Sequence, residues 1–104
     1  MKNNFDKSIA VLKKYFKPIK NGEKTNHIES TDYSLKQGDI ARFTNGYNYK
    51  NGSVLKEITN VRKVKAKNVK KRDLERGCIT KDWLEDYVGK DMDTIVFIYE
   101  FKEV

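Results

Sequence analysis

Residues 15–43 read YFKPIKNGEKTNHIESTDYSLKQGDIARF, and the order of the first structural elements follows from this stretch. It has three parts: an amphipathic segment that ends at Asn21-Gly22, a short run over residues 24–28, and a polar loop that leads into Gly38-Asp39. The apolar positions of the first part recur at helical spacing, and the IARF after the loop has the character of a strand. We therefore expect a helix, a short strand, a polar loop and a second strand, in that order.

Two motifs are spaced along this stretch. The first is FxxIxxGxKT over residues 16–25, and the second is LxxGDI over residues 35–40. In this order they resemble the marks of the ASCH (activating-signal-cointegrator homology) domain, a branch of the PUA-like superfamily. The resemblance extends in looser form over residues 9–104 and implies an α+β fold, a mixed β pseudo-barrel with short flanking helices.

The segment over residues 54–67 has an ambiguous pattern. Its apolar residues recur every three positions, which favours a helix, whereas its content of Val, Ile and Thr favours a strand. A β-bulge reconciles the two, because one extra residue reverses the alternation of side chains. Together with the resemblance, this predicts a long, bent strand.

The remaining elements follow from local signals. Pro18 is expected in the first turn of the first helix, because proline lacks the amide that a later turn needs. Thr80 is expected to cap a late helix whose apolar side includes Trp83, interpreted as a core residue. Apart from the strands already described, the predicted elements in chain order are a strand over 8–12, a helix over 13–22, an Asn-Gly hairpin over 45–52, helices over 70–76 and 80–89, and a central strand over 94–104.

The composition bounds the class of protein. A length of 104 residues suits one domain, which we place at residues 8–104 after a frayed stretch over residues 1–7. The sequence contains no apolar run of membrane-spanning length, and its start lacks a signal-peptide pattern. The single cysteine, Cys78, excludes an internal disulfide, and no Cys/His cluster suggests zinc. We expect a cytoplasmic protein with no metal, no cofactor and no membrane partner.

The net charge of +7 is concentrated in one stretch. Residues 61–72 hold seven basic residues and no acid, so the rest of the chain has 15 basic and 15 acidic residues. Such a patch is typical of nucleic-acid binding through phosphates. A solvated basic face and a docking site for an acidic protein remain as alternatives. The residues of this basic stretch are Arg62, Lys63, Lys65, Lys67, Lys70, Lys71 and Arg72.

The resemblance also implies a binding cleft. In proteins of this superfamily the surface beside the GxKT segment and the Gly-Asp turn lines a cleft, which related branches use for a nucleotide or modified base. It implies that Lys24, Thr25 and Arg42 contact such a ligand, and that Asp39 either joins them or satisfies its own turn. Tyr33, Tyr47 and Tyr49 lie in loop-like stretches where a ring can stack on an unpaired base. The leading hypothesis is thus a small module that binds RNA or a modified nucleotide.

One enzymatic relative is similar in length and layout, the small bacterial N4-acetylcytidine amidohydrolases. Their motif is Lys-Thr-x-Thr-x-Arg, with a distant glutamate that falls near Glu75 here. Lys24 and Thr25 match, but His27 replaces the second threonine and Glu29 replaces the arginine. Without that hydroxyl the nucleophilic set is incomplete, although a histidine can act as a base. Catalysis by Lys24, Thr25 and Glu75 on an acetylated cytidine is therefore the alternative, and the enzyme question stays open with binding favoured.

Overall fold

The structure is a computed structural model that describes residues 5–104, without the side chain of Tyr49. Its described residues form one five-stranded sheet in the order β1-β3-β4-β5-β2. The strands are β1 (Lys7–Val11), β2 (Asn26–Glu29), β3 (Ile40–Asn45), β4 (Ser53–Lys65) and β5 (Ile95–Glu103). β1 and β3 are parallel and the other pairs are antiparallel. The sheet curls into a half-barrel whose two edges are β1 and β2, which confirms the expected mixed β architecture.

Three α-helices accompany the sheet within the described residues. They are α1 (Lys13–Asn21), α2 (Lys71–Arg76) and α3 (Lys81–Tyr87), and short 3₁₀ turns cover Tyr49–Asn51 and Ala66–Asn68. None of the described helices is long and apolar enough to cross a membrane. The α+β class predicted from the sequence is therefore confirmed.

Two apolar clusters lie on opposite faces of the sheet. The first fills the half-barrel and includes Ile9, Phe43 and Tyr99, all with no exposed surface. The second includes Ile98 and Leu84 and lies between the other face of β5 and the helices α2 and α3. Adjacent residues of β5 thus serve different clusters, as the alternation of a strand buried on both faces requires.

The long strand β4 contains the predicted bulge. Ile58 pairs with Phe101, whereas Asn60 pairs with the adjacent Glu100, so the register shifts at Thr59. Because of that extra residue, Ile58 and Val61 both pack in the half-barrel cluster although they are three positions apart. The bulge explains the helix-like spacing of this strand.

Helix α1 ends where it was expected to end, but its proline lies one turn later than predicted. Gly22 adopts a positive φ of 89° and its amide bonds to the Ile19 carbonyl at 3.3 Å. Pro18 lies in the second turn, so its predicted place in the first turn is wrong. The carbonyl that loses its partner belongs to Lys14, an exposed residue that water can reach. The carbonyl of Pro18 accepts a bond from the Lys24 amide at 3.0 Å, which directs the chain toward β2.

The ends of the domain and its hairpin differ in detail from the sequence pattern. Residues 1–4 of the stretch expected to fray lie outside the described residues, and Lys7 already belongs to β1. The Asp6 amide bonds to the Ile40 carbonyl at 2.8 Å. The connection over residues 45–52 does join two antiparallel strands, but as a longer loop that contains a 3₁₀ turn.

Candidate functional site

An open pocket of about 1010 Å³ lies between the two edges of the half-barrel. Both edge strands contribute to its wall, β1 through Ser8 and Ala10 and β2 through residues 27–29. Because β1 and β2 do not pair with each other, the pocket occupies the gap where the barrel stays open. Its aromatic lining consists of Tyr15, Tyr33, Tyr47, Trp83 and Tyr87.

Helix α3 supplies a pair of stacked rings. Trp83 and Tyr87 are one helical turn apart, and their rings are parallel within 9° with centroids 5.1 Å apart. Tyr15 meets Trp83 edge-on at 6.2 Å. The hydroxyl of Thr80 accepts a bond from the Trp83 amide at 3.1 Å, which confirms the predicted cap. Trp83 packs partly against the second cluster and also lines the pocket, so its interpretation as a core residue covers only part of its surroundings.

Lys24 places a buried ammonium group beside these rings. The residue is 2% exposed, its Nζ donates to the Gly77 carbonyl, and Nζ lies 5.0 Å from the centroid of the Tyr15 ring. Within residues 5–104 no acidic side chain forms an ion pair with Lys24. Burial lowers the pKa of Lys24 from 10.5 to about 8, against a smaller opposing effect of Cys78. The site thus contains a desolvated cation with no acidic partner in the described part of the chain.

His27 and Glu29 alternate on β2 and form a hydrogen-bonded chain with Tyr33. Nε2 of His27 lies 2.8 Å from Oε1 of Glu29, and the Tyr33 hydroxyl donates to the other carboxylate oxygen. Burial lowers the pKa of His27 and keeps the ring neutral. Burial alone would raise the pKa of Glu29, but hydrogen bonds from His27, Tyr33 and Thr31 outweigh it and the pKa lies below its ordinary value.

The charge state of Glu29 fixes the tautomer of His27. An ionised carboxylate can only accept, so Nε2 of the neutral ring must carry the hydrogen. Nδ1 is then an acceptor with a free lone pair. Lys24 also acts on this ring, since its charge contributes to the lowered pKa of His27. A neutral acceptor and a cation therefore lie together in the pocket.

Of the four other residues that the resemblance implies, one lines the pocket and three do not. Arg42 lines the pocket, with Nε 3.3 Å from the Ser8 hydroxyl. Thr25 is exposed and absent from the pocket wall. Asp39 accepts bonds from the amide and ammonium of Lys36 at 3.0 and 3.3 Å, as a turn carboxylate does. Glu75 is exposed on α2 and is also absent from the pocket wall.

The basic stretch does not line this pocket. Arg62 pairs with Asp73 at 2.6 Å and with Glu100 at 3.0 Å. Two of its lysines approach Asp93, Lys65 at 3.9 Å and Lys67 at 2.9 Å. In the described chain the other four residues have no ion pair; they are Lys63, Lys70, Lys71 and Arg72. Three of the seven basic residues are therefore paired with acids that lie outside the stretch.

Sequence reasoning missed several residues of the site. Glu29 counted only as a departure from a motif, and Tyr15 and Tyr87 were not among the predicted site residues. The alternation of His27 and Glu29, and the spacing of Trp83 and Tyr87, were the available signals. Among the described residues, no group of three or more His, Cys, Asp or Glu side chains is arranged to hold a metal.

Comparison with known proteins identifies the fold. Neither a family model nor a curated protein matches the sequence. Solved structures do: an ASCH protein from Zymomonas mobilis superposes with a TM-score of 0.78 at 10% identity, covering 92% of this chain and 66% of that chain. The hypothetical protein PH0355 superposes with a TM-score of 0.67 at 15% identity, covering 94% and 98%. Protein EF3133 from Enterococcus faecalis V583 gives 0.65 at 12% identity, covering 88% and 70%. The chain spans about two thirds of the Zymomonas protein, and it has an ASCH-like fold.

Proposed function

We propose that the protein is a nucleic-acid-binding module that holds an unpaired RNA base, or a modified nucleotide, in the pocket. The observation that carries this proposal is Lys24, a buried cation with no acidic partner among the described residues. Burying a charge without a counterion is unfavourable, and an anionic ligand would relieve it. A phosphate or an electron-rich base edge beside Nζ supplies that complement.

The walls of the pocket suit the remainder of a nucleotide. Its volume of about 1010 Å³ lies at the upper end of the range for small-molecule sites, about 300–1,000 Å³. The stacked rings of Trp83 and Tyr87, with Tyr15 edge-on, offer flat apolar surface for a base. Nδ1 of His27 can accept a hydrogen bond from an exocyclic amine, and Arg42 adds a second cation to the lining. The free, exposed Cys78 fits a reducing compartment, and we include a cytoplasmic location in the proposal.

The experiment that tests this proposal is binding of a labelled single-stranded RNA to the wild type and to Tyr87→Ala. Tyr87 is 38% exposed and lines the pocket, so truncation removes ring surface. Its hydroxyl also accepts a bond from the Ser30 amide at 2.9 Å, so circular dichroism is used to show that the variant stays folded. Loss of one stacking ring is worth about 1–3 kcal/mol, so we expect affinity to fall by roughly 5- to 150-fold. Glu75→Ala, at an exposed position outside the pocket, is the control and should bind as the wild type does. Equal affinity of all three proteins would contradict a base site in this pocket.

A second candidate is hydrolysis of an acetylated nucleoside at the same pocket. It is favoured by Lys24, whose pKa of about 8 leaves a fraction of the amine neutral near physiological pH, and by the neutral His27 next to it. These two residues would replace the set of Lys24, Thr25 and Glu75 implied by the resemblance, since Thr25 and Glu75 do not line the pocket. Incubation with N4-acetylcytidine and chromatography of the products tests it. Absence of cytidine leaves binding as the function.

A further inference from the structure

We propose that helix α1, and not the basic stretch of residues 61–72, contacts the phosphates of the RNA that neighbour the bound base. This inference rests on the proposed function. It concerns the α1 lysines, defined as Lys13, Lys14, Lys17 and Lys20. All four are exposed, and within residues 5–104 none forms an ion pair.

Three of the α1 lysines are placed against the stability of their own helix, whereas Lys20, in the last turn, suits the helix dipole. Lys13 and Lys14 occupy the first turn, where the helix dipole favours acids, and that turn contains no acid and no side-chain cap. Lys13 and Lys17 are four residues apart, a spacing at which like charges repel. The helix is thus built with a charge pattern that helix formation disfavours, and an anionic ligand would compensate for it.

The geometry connects three of these lysines to the pocket, while Lys20 lines neither cavity. A second groove of about 760 Å³ is lined by Lys13, Lys14 and Lys17. Lys13 and Asn45 line both the groove and the pocket, so the two are adjoining. The groove also contains the acid Glu23, whose carboxylate accepts a bond from the Asn21 side chain at 2.9 Å.

Tyr15 forms a direct link between the helix and the buried cation. The ammonium groups of Lys14 and Lys24 each lie 5.0 Å from the centroid of its ring. Tyr15 itself lines the pocket. A strand that leaves the pocket past Tyr15 would therefore meet Lys13, which lines both cavities, and then Lys14 in the groove.

The basic stretch provides a matched control of equal charge. Its four residues without an ion pair in the described chain are Lys63, Lys70, Lys71 and Arg72, and they line neither the pocket nor the groove. Two variants therefore remove four positive charges each. One changes the α1 lysines to Gln, which keeps similar helix propensity, and the other changes these four residues to Gln.

The experiment titrates a labelled single-stranded RNA and, separately, uridine 5′-monophosphate against the wild type and both variants at several salt concentrations. Circular dichroism confirms that each variant is folded. We expect the α1 variant to lower the log–log salt slope of RNA binding by about 0.7 for each lysine–phosphate interaction that is removed, roughly 3 for all four. The control variant, which changes no residue of the pocket lining, should keep both the wild-type slope and the wild-type affinity for the mononucleotide.

The two proposals fail in different ways. A wild-type slope in the α1 variant, or a larger reduction of the slope in the control variant, would overturn the role of α1, while mononucleotide binding would still support the pocket. Equal reductions in both variants would show a general effect of net charge and would also overturn it. If the wild type binds neither ligand, the proposed function fails and this inference fails with it.

Discussion

At the scale of single residues, Lys24 is a buried cation in the lining of the pocket. Its pKa is lowered by burial from 10.5 to about 8, so the folded protein binds this proton less tightly than the unfolded chain does. Between these values the unfolded state carries the proton and the folded state does not, and the free energy of unfolding therefore rises with pH. The shift corresponds to roughly 3 kcal/mol across the whole window.

The variant Lys24→Met tests this charge while keeping the aliphatic stem. We expect its free energy of unfolding at neutral pH to lie within about 1 kcal/mol of the wild type, because removal of a desolvated charge offsets removal of the bond to Gly77. The rise in stability above pH 8 should be absent from the variant. Urea denaturation at a series of pH values up to about 9.5 measures both.

The upper pH limit of that experiment has a physical reason. Tyr33 and Tyr99 have raised pKa values, Tyr33 through burial and its bond to Glu29, and Tyr99 through burial. Their contribution to stability is present below pH 10 and is lost as the pH rises further.

One outcome would contradict this account of Lys24. If Lys24→Met loses more than about 2 kcal/mol of unfolding free energy at neutral pH, yet keeps the wild-type rise in stability above pH 8, Lys24 serves the fold instead of the site.

At the scale of elements, Gly77 allows β2 and α2 to approach each other. Its φ of −88° is ordinary, so its role is spatial and not conformational. A Cβ at this position would lie 2.5 Å from Oδ1 of the buried Asn26 and 3.2 Å from the Asp73 carbonyl. Asn26 cannot move aside freely, since its Nδ2 donates to that same carbonyl at 3.0 Å. The carbonyl of Gly77 in turn holds Lys24.

We expect Gly77→Ala to lower the free energy of unfolding by about 1–3 kcal/mol, the usual effect of overpacking a buried contact. It should also weaken nucleotide binding, because the partner of Lys24 shifts. Glu75→Ala, two residues earlier on an exposed side of α2, should change stability by no more than about 0.5 kcal/mol. Chemical denaturation of the wild type and the two variants measures these free energies of unfolding. Equal stability of Gly77→Ala and the wild type would refute the packing role of Gly77.

Local interactions explain why so many elements were predictable. The end of α1 at Gly22 and the cap at Thr80 each depend on residues within a few positions of one another. The bulge in β4 also involves its pairing with β5, and it was predicted only with the help of the resemblance. Trp83 shows the limit of such reasoning. Its helical pattern identifies an apolar side, but which neighbours cover that side depends on tertiary packing, and here part of the ring is left to the pocket.

At the scale of the whole molecule, a run of basic residues in the sequence is partly neutralised by ion pairs in the fold. The basic stretch is conspicuous in the sequence because it is contiguous, yet Asp73, Asp93 and Glu100 balance three of its seven residues. Those pairings depend on strand register and on the packing of α2, which charge patterns do not reveal. The α1 lysines are less conspicuous because apolar residues separate them in the sequence.

The candidate site also contains residues that the sequence predicted and residues that only the structure identified. The resemblance implied Lys24 and Arg42, and both line the pocket. It also implied Thr25 and Glu75, whose side chains do not. His27 and Glu29, where the sequence departs from the amidohydrolase motif, do line it and bond to each other. Motif matching thus located the pocket, and only the structure identified its polar groups.

A mononucleotide titration is the simplest direct test of a ligand site next to Lys24. Trp83 is the single tryptophan and lines the pocket, so its fluorescence reports occupancy without a label. Each ribonucleoside 5′-monophosphate is titrated against the wild type, Lys24→Met and Glu75→Ala. We expect saturable quenching in the wild type and in Glu75→Ala, and at least a tenfold weaker affinity in Lys24→Met, equivalent to about 1.4 kcal/mol. Unchanged fluorescence in the wild type, or equal affinity in Lys24→Met, would contradict a nucleotide site built around this lysine.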